Sequence, residues 1–219
     1  MEQELKPIPQ LEPIAIRILG CLLEKSKTTP EYYPLSLNAL SLACNQKSAR
    51  KPVVNYTENE IIVALDQLKS KGWVSTLSGA GSRTIKYKHN LNLHYALNPD
   101  ALAILCLLFL RGPLTPGEIN SNSGRLYDFE NLEEVQNGLN QLTEGPMPFV
   151  TQVARQSGQK EIRYRHLFGS YEEVAALQDN SDENVQTLQL TERVNQLETE
   201  VQNLKTAFEK LLKELGVQE

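Results

Sequence analysis

The sequence predicts a mainly α-helical α+β protein, in which two tandem winged-helix domains precede a C-terminal coiled-coil helix. The first observation is a repeat: the pentapeptide IKYKH at 85–89 returns as IRYRH at 162–166. The second is that apolar residues at helical spacing precede each copy. The third is a heptad pattern of apolar residues from position 190 onward.

The repeat extends upstream of both pentapeptides in the same order, which indicates a tandem duplication. Residues 19–30 match 104–116, and residues 58–74 match 131–150. Length differences between the copies fall between the predicted elements, where loops tolerate insertion. We therefore predict two winged-helix domains, a linker and a coiled-coil helix, at residues 1–92, 93–170, 171–182 and 183–217.

Three helices are predicted in the first copy. Residues 12–25 and 36–46 form the first two, and the segment 28–35 between them is predicted to be extended because it contains two prolines. The third helix starts after Thr57, since Thr57 and Glu60 have the spacing of a capping box.

A hairpin is predicted to follow, because apolar and polar residues alternate from Trp73 and glycines occupy the middle of the segment. In the return strand, Ile85 and Tyr87 share one face, and Lys86 and Lys88 share the other. We interpret it as an edge strand, with its apolar face on the helices and its basic face in water.

Three helices followed by a hairpin is the element order of a winged helix. In that fold the third helix enters the DNA major groove and the hairpin contacts phosphate. We expect Arg50 and Lys51, just before helix three, to be exposed; ordinary solvated side chains are the alternative interpretation of this basic segment. The candidate DNA-binding residues, including two asparagines suited to base contacts, are Lys47, Arg50, Lys51, Asn55, Asn59, Arg83, Lys86 and Lys88.

Carboxylates on both third helices count against groove contact. Glu58 and Glu60 lie in the first turn of the first one, and Glu130, Glu133 and Glu134 lie at the start of the second. We therefore interpret the second unit as a protein-contacting or dimer-supporting module. Its basic surface, suited to a DNA backbone or an acidic partner, comprises Arg125, Arg155, Lys160, Arg163 and Arg165.

The C-terminal heptads predict a parallel homodimer, because leucine occupies every d position and valine occupies two a positions. Interchain pairs Arg193–Glu198 and Glu200–Lys205 are attractive only in that orientation. The alternative is a helix that folds back on its own domains. The seam comprises Leu190, Val194, Leu197, Val201, Leu204, Phe208, Leu211 and Leu215.

The net charge of −5 is distributed unevenly. It is +4 over residues 1–89, −2 over 90–170 and −7 over 171–219. The basic first unit favours DNA binding. The acidity elsewhere favours the alternative function, a tandem winged-helix scaffold that binds protein, similar in architecture to subunits of bacterial chromosome condensation complexes.

Several classes of protein are not indicated. No run approaches the roughly 18 apolar residues of a membrane span, and the polar N-terminus is not a signal peptide. The three cysteines lack metal-ligand spacing and are predicted to be core residues. His89 and His166 are equivalent strand ends with a structural role. We expect a cytoplasmic protein with no enzymatic activity, catalytic residue, metal or cofactor.

Five strings in the sequence resemble the YceH-like family of bacterial proteins. The resemblance covers about residues 12–170 and implies tandem winged helices, whereas it implies no particular activity. The prediction of a coiled coil after residue 170 depends on the heptad pattern alone. The strings are ACNQKSARKPV, SGAGSRTIKY, LLFLRGPLTPGEI, RLYDFENLEEV and YRHLFG.

Overall fold

A computed structural model describes residues 8–78, 84–144, 147–153 and 161–169. These residues form helices and two small antiparallel sheets, so the α+β prediction is confirmed. The predicted linker and coiled-coil helix lie outside the described residues. The elements are α1 (Pro13–Thr28), β1 (Leu35–Ser36), α2 (Leu37–Cys44), α3 (Glu58–Ser70), β2 (Val74–Ser78), β3 (Ile85–His89), α4 (Leu91–His94), α5 (Pro99–Arg111), α6 (Pro116–Ser123), α7 (Leu132–Glu144), β4 (Val150–Val153) and β5 (Arg163–His166).

The ends of α3 follow from its sequence. The Thr57 hydroxyl accepts a hydrogen bond from the Glu60 N–H at 3.3 Å, and the Glu60 carboxylate accepts one from the Thr57 N–H at 2.7 Å. The predicted capping box is therefore confirmed. At the other end Gly72 has φ +77°, a conformation that favours glycine. Trp73 then donates its N–H to the Leu68 carbonyl and enters β2.

The segment 28–35 is not extended throughout, contrary to the prediction. Helix α1 continues to Thr28, and a short 3₁₀ helix follows at Pro30–Tyr32. Proline is compatible with the first position of a helix, since that position needs no N–H donor. Pro30 therefore starts a helical turn in a segment that its prolines predict to be extended.

Strand β3 lies in the centre of a three-stranded sheet of order β1–β3–β2, so its prediction as an edge strand is wrong. Leu35 pairs with Tyr87 on one side, and Val74 pairs with His89 on the other. Strand β1 has two residues, too few for an alternating pattern to be recognised in the sequence.

The two faces of β3 follow the prediction at Lys86 and Tyr87, whereas Lys88, predicted to lie in water, is half-buried. Tyr87 packs against the core, and Lys86 is exposed. Ile85 departs from the prediction, because 52% of its surface is exposed. It pairs with Ser78 at the end of the hairpin next to the connecting loop, and the apolar contact with the core begins only at Tyr87.

The second copy repeats the element order of the first. Helix α5 is followed by a single bridge residue, by α6 and α7, and by the hairpin of β4 and β5. The bridge residue Leu114 exchanges two backbone hydrogen bonds with Tyr164, at 3.0 and 2.8 Å. This pair corresponds to Leu35 and Tyr87 of the first copy.

Helices α1 and α5 pack closely and join the two copies in one continuous hydrophobic core. A Cβ atom added at Gly20 would lie 2.8 Å from Leu110 Cδ2, so this contact requires glycine. The Cys106 thiol donates to the Gly20 carbonyl at 3.6 Å. Cys21, Cys44 and Cys106 are all buried, which confirms their prediction as core residues.

The helices of the described residues are too short or too polar to cross a membrane.

Candidate nucleic-acid interface

The solvent face of β3 holds the predicted hairpin lysines. Lys86 pairs with Leu77 and Lys88 pairs with Ser75, and cross-strand partners lie on the same side of a sheet. Lys86 is exposed and Lys88 is half-buried. Both side chains therefore lie on the sheet face opposite the one that Tyr87 packs against the core.

The exposed face of α3 is mixed in character. Asn59, a predicted base-contacting residue, is exposed. Ile62 and Val63 are exposed over 37% and 60% of their surfaces. Asp66 forms an exposed ion pair with Lys69 at 3.1 Å. A helix that reads DNA needs polar groups on this face, and α3 presents two aliphatic side chains among its polar ones.

The connection between α2 and α3 presents Lys47, Lys51 and Asn55 at the surface, as predicted. Arg83 lies outside the described residues, as do Arg155, Lys160 and the whole predicted dimer seam.

Arg50 is not a surface residue, and its prediction as an exposed DNA contact is wrong. It is 5% exposed and makes a bidentate contact with the Glu24 carboxylate, at 3.0 and 2.6 Å. Its Nε–H also donates to the Ala43 carbonyl at 3.1 Å, and Nη2 donates to the Gln46 side chain at 2.8 Å. These partners hold Arg50 inside the fold.

Sequence reasoning missed a second buried arginine, Arg17 of α1, which is 3% exposed. Its guanidinium donates to the Cys44 carbonyl at 3.4 Å and to the Pro52 carbonyl at 2.7 Å. The sequence did contain a signal, because Arg17 is the only charged residue in the apolar run 13–23. A helix that is apolar on all sides is buried, and a charged residue within it is then buried as well. Arg17 and Arg50 together fix the α2–α3 connection to the core.

The basic residues of the second copy are partly engaged within the fold. Arg163 makes a bidentate ion pair with Glu118, with both oxygens at 2.8 Å, and also donates to the Pro113 carbonyl. Burial raises the pKa of Glu118, but the hydrogen bond from the Thr115 backbone N–H and then the Arg163 guanidinium hold it below the usual value. Arg165 is half-buried, and Arg125 is exposed.

His89 and His166 have matching environments. Burial, reinforced by neighbouring basic side chains, lowers the pKa of each imidazole to about 4. Nδ1 of His89 accepts the Leu91 N–H at 3.4 Å, and Nδ1 of His166 accepts the Phe168 N–H at 3.3 Å. Both rings are therefore neutral near pH 7 and carry their proton on Nε2. Each receives the backbone N–H two residues further on, as a structural role requires.

Within the described ranges, no group of three or more histidine, cysteine, aspartate or glutamate side chains is placed to hold a metal ion.

The sequence model of a family described as "Protein of unknown function, DUF480" matches residues 11–159. A UPF0502 protein of Shewanella oneidensis is 47% identical over 214 residues, which cover 91% of this chain and 96% of that protein. A UPF0502 protein of Pectobacterium atrosepticum is 43% identical over 208 residues, covering 93% and 98%. One from Shewanella baltica is 49% identical over 158 residues, covering 70% and 71%.

Proposed function

We propose that this chain, which belongs to the DUF480 family, is a winged-helix protein that binds double-stranded DNA through its first copy and takes part in transcription as a homodimer. The observation that carries the proposal is the sheet order β1–β3–β2 behind three helices. A short strand before the second helix pairs with the returning hairpin strand, an arrangement typical of winged helices. The same order of elements recurs in the second copy.

The charge of the first copy supports a role in binding phosphate. Lys86 and Lys88 lie on the solvent face of the hairpin, where winged helices contact the DNA backbone. Lys47 and Lys51 add exposed basic residues in the connection before α3. Each lysine that neutralises a phosphate releases a counterion, so this surface predicts strongly salt-dependent binding.

The homodimer is proposed from the C-terminal heptads. Winged-helix dimers bind two half-sites, and a two-stranded coil after the second copy would supply the two-fold symmetry of such a site.

The exposed aliphatic residues favour a second candidate function, a scaffold that binds protein. Leu42 of α2 is 66% exposed, and Val63 of α3 is 60% exposed. Large apolar side chains of this exposure on adjacent helices are typical of protein contacts rather than of a DNA groove. The carboxylates Glu58 and Glu60 in the first turn of α3 point the same way.

One experiment separates the two functions. The purified full-length protein is titrated onto fluorescent duplexes over a salt series, and anisotropy reports binding. DNA binding predicts a linear fall of log affinity with log salt. The absence of duplex binding at the lowest salt would overturn the proposal. Capture of a protein from the native cells that is lost with Leu42→Ser/Val63→Ser, while the variant keeps its melting temperature, would then support the scaffold.

A further inference from the structure

A small cavity lies where α1, the α2–α3 connection, α5 and β5 meet, so that both copies contribute to its wall. Its volume is about 30 Å³, enough for one or two water-sized groups. Its polar side chains are those of Arg17, Lys51, Tyr56 and His166. No aspartate or glutamate belongs to the described lining.

The Arg17 guanidinium is a buried charge that no carboxylate of the described residues neutralises. In the part of the chain that the structure describes, Arg17 donates to two carbonyl oxygens and forms no ion pair with a carboxylate. The Glu24 carboxylate, two turns further along α1, is already shared between Arg50 and Lys25, at 2.6 and 3.4 Å. Burying a charge without a counter-charge is strongly unfavourable, so this site favours an anion.

The other polar groups of the lining are donors as well. His166 uses Nδ1 to accept the Phe168 N–H, which leaves Nε2–H as its remaining polar group. Burial raises the pKa of Tyr56, so its phenol keeps its proton. Among the described residues, no group forms a hydrogen bond with that hydroxyl.

We propose that this cavity binds a small monovalent inorganic anion of the size of chloride, held by Arg17 with Tyr56 and His166. A halide fits this volume. Because the wall comes from both copies, the anion would strengthen their packing against each other. This inference is independent of DNA binding.

The direct test uses bromide, which replaces chloride and scatters anomalously. Crystals of the full-length protein are grown or soaked in bromide salt. We expect an anomalous peak inside the cavity, in contact with the Arg17 guanidinium. Anomalous peaks only at surface lysines, with water in the cavity, would overturn the proposal.

The solution test compares melting temperatures in sodium chloride and in sodium gluconate of equal ionic strength, since gluconate is too large for the cavity. The wild type should melt about 3–6 °C higher when chloride is ten times its dissociation constant. Arg17→Gln should lose this difference. Tyr56→Phe, which removes one hydroxyl, should weaken it, and Lys47→Gln on the surface should keep it. Equal melting of the wild type in both salts would contradict the site.

Discussion

The Arg50 guanidinium lies in bidentate contact with the Glu24 carboxylate, with Nη2 to Oε2 at 2.6 Å and Nη1 to Oε1 at 3.0 Å. This pair joins the connection before α3 to the C-terminal part of α1. Arg50 was predicted to contact phosphate, but its burial gives it a structural role. Mutating Arg50 should therefore affect the stability of the protein.

Replacing Arg50 with glutamine should therefore destabilise the protein. The change leaves the Glu24 carboxylate without its partner, and breaking a buried ion pair in this way costs about 3–5 kcal/mol. The partial exposure of Glu24 places the effect toward the lower end of that range. Urea unfolding followed by circular dichroism measures it. Lys47→Gln, an exposed change in the same connection, should alter stability by less than about 0.5 kcal/mol. Equal effects of the two changes would contradict the role of Arg50.

The local signals predicted α3 well, because the capping box of Thr57 and Glu60 acts within one helical turn. The position of Arg50 could not be predicted in the same way. Its partner Glu24 lies 26 residues away, and the spacing of basic residues gives no information on burial. The central position of β3 was missed for a related reason. It depends on a two-residue strand that becomes visible only when the chain is folded.

The hairpin lysines provide the sharpest test of DNA contact. Lys86→Glu/Lys88→Glu should weaken binding to all duplexes and reduce the slope of log affinity against log salt by about 2, since each lost phosphate contact removes about 0.9. Fluorescence anisotropy at several salt concentrations gives the slope. Arg125→Glu, an exposed basic residue of the second copy, is the matched control and should leave the slope unchanged. An unaltered slope in the double variant would remove the hairpin from the interface.

The buried imidazole of His166 should make stability depend on pH. Its pKa is about 4 in the folded protein and about 6.5 in the unfolded chain, so the unfolded chain binds the additional proton between these values. Its contribution to stability is therefore present above pH 6.5 and is lost as the pH falls toward 4. The loss is at most about 3 kcal/mol.

His166→Asn removes this titration but keeps a side-chain acceptor near the Phe168 N–H. The free energy of unfolding should then fall less steeply between pH 6.5 and 4 than in the wild type. Urea unfolding across this range gives the comparison. Identical pH profiles for the two proteins would show that His166 is not held neutral by the fold.

Two glycine substitutions should have opposite effects on stability, because Gly20 lies at the contact between α1 and α5 and Gly117 of α6 has room for a Cβ atom. Gly20→Ala would place a Cβ 2.8 Å from Leu110 Cδ2 and 3.0 Å from Phe109 Cβ, and such overpacking costs about 1–3 kcal/mol. Gly117→Ala in α6 meets only the Thr115 hydroxyl at 3.9 Å, so it should stabilise the protein by about 0.4–1 kcal/mol. Thermal unfolding measures both. A stabilising Gly20→Ala would mean that the two copies pack less closely than described.

Removing the C-terminal heptads tests the predicted dimer while leaving the two copies intact. The backbone N–H of Leu11 donates to the carbonyl of buried Phe168 at 2.8 Å, so the core of the described unit closes near residue 168. Cutting the chain after about residue 175 should therefore preserve its cooperative unfolding and convert a dimer to a monomer in sedimentation.

Leu197→Cys, at a d position, should form an interchain disulfide on oxidation if the helices are parallel and in register. A monomeric full-length protein would rule out the coil, and a dimer in which Leu197→Cys fails to cross-link would rule out its parallel register. Either result would also remove the support for a two-fold symmetric DNA site, because that symmetry was inferred from the heptads alone.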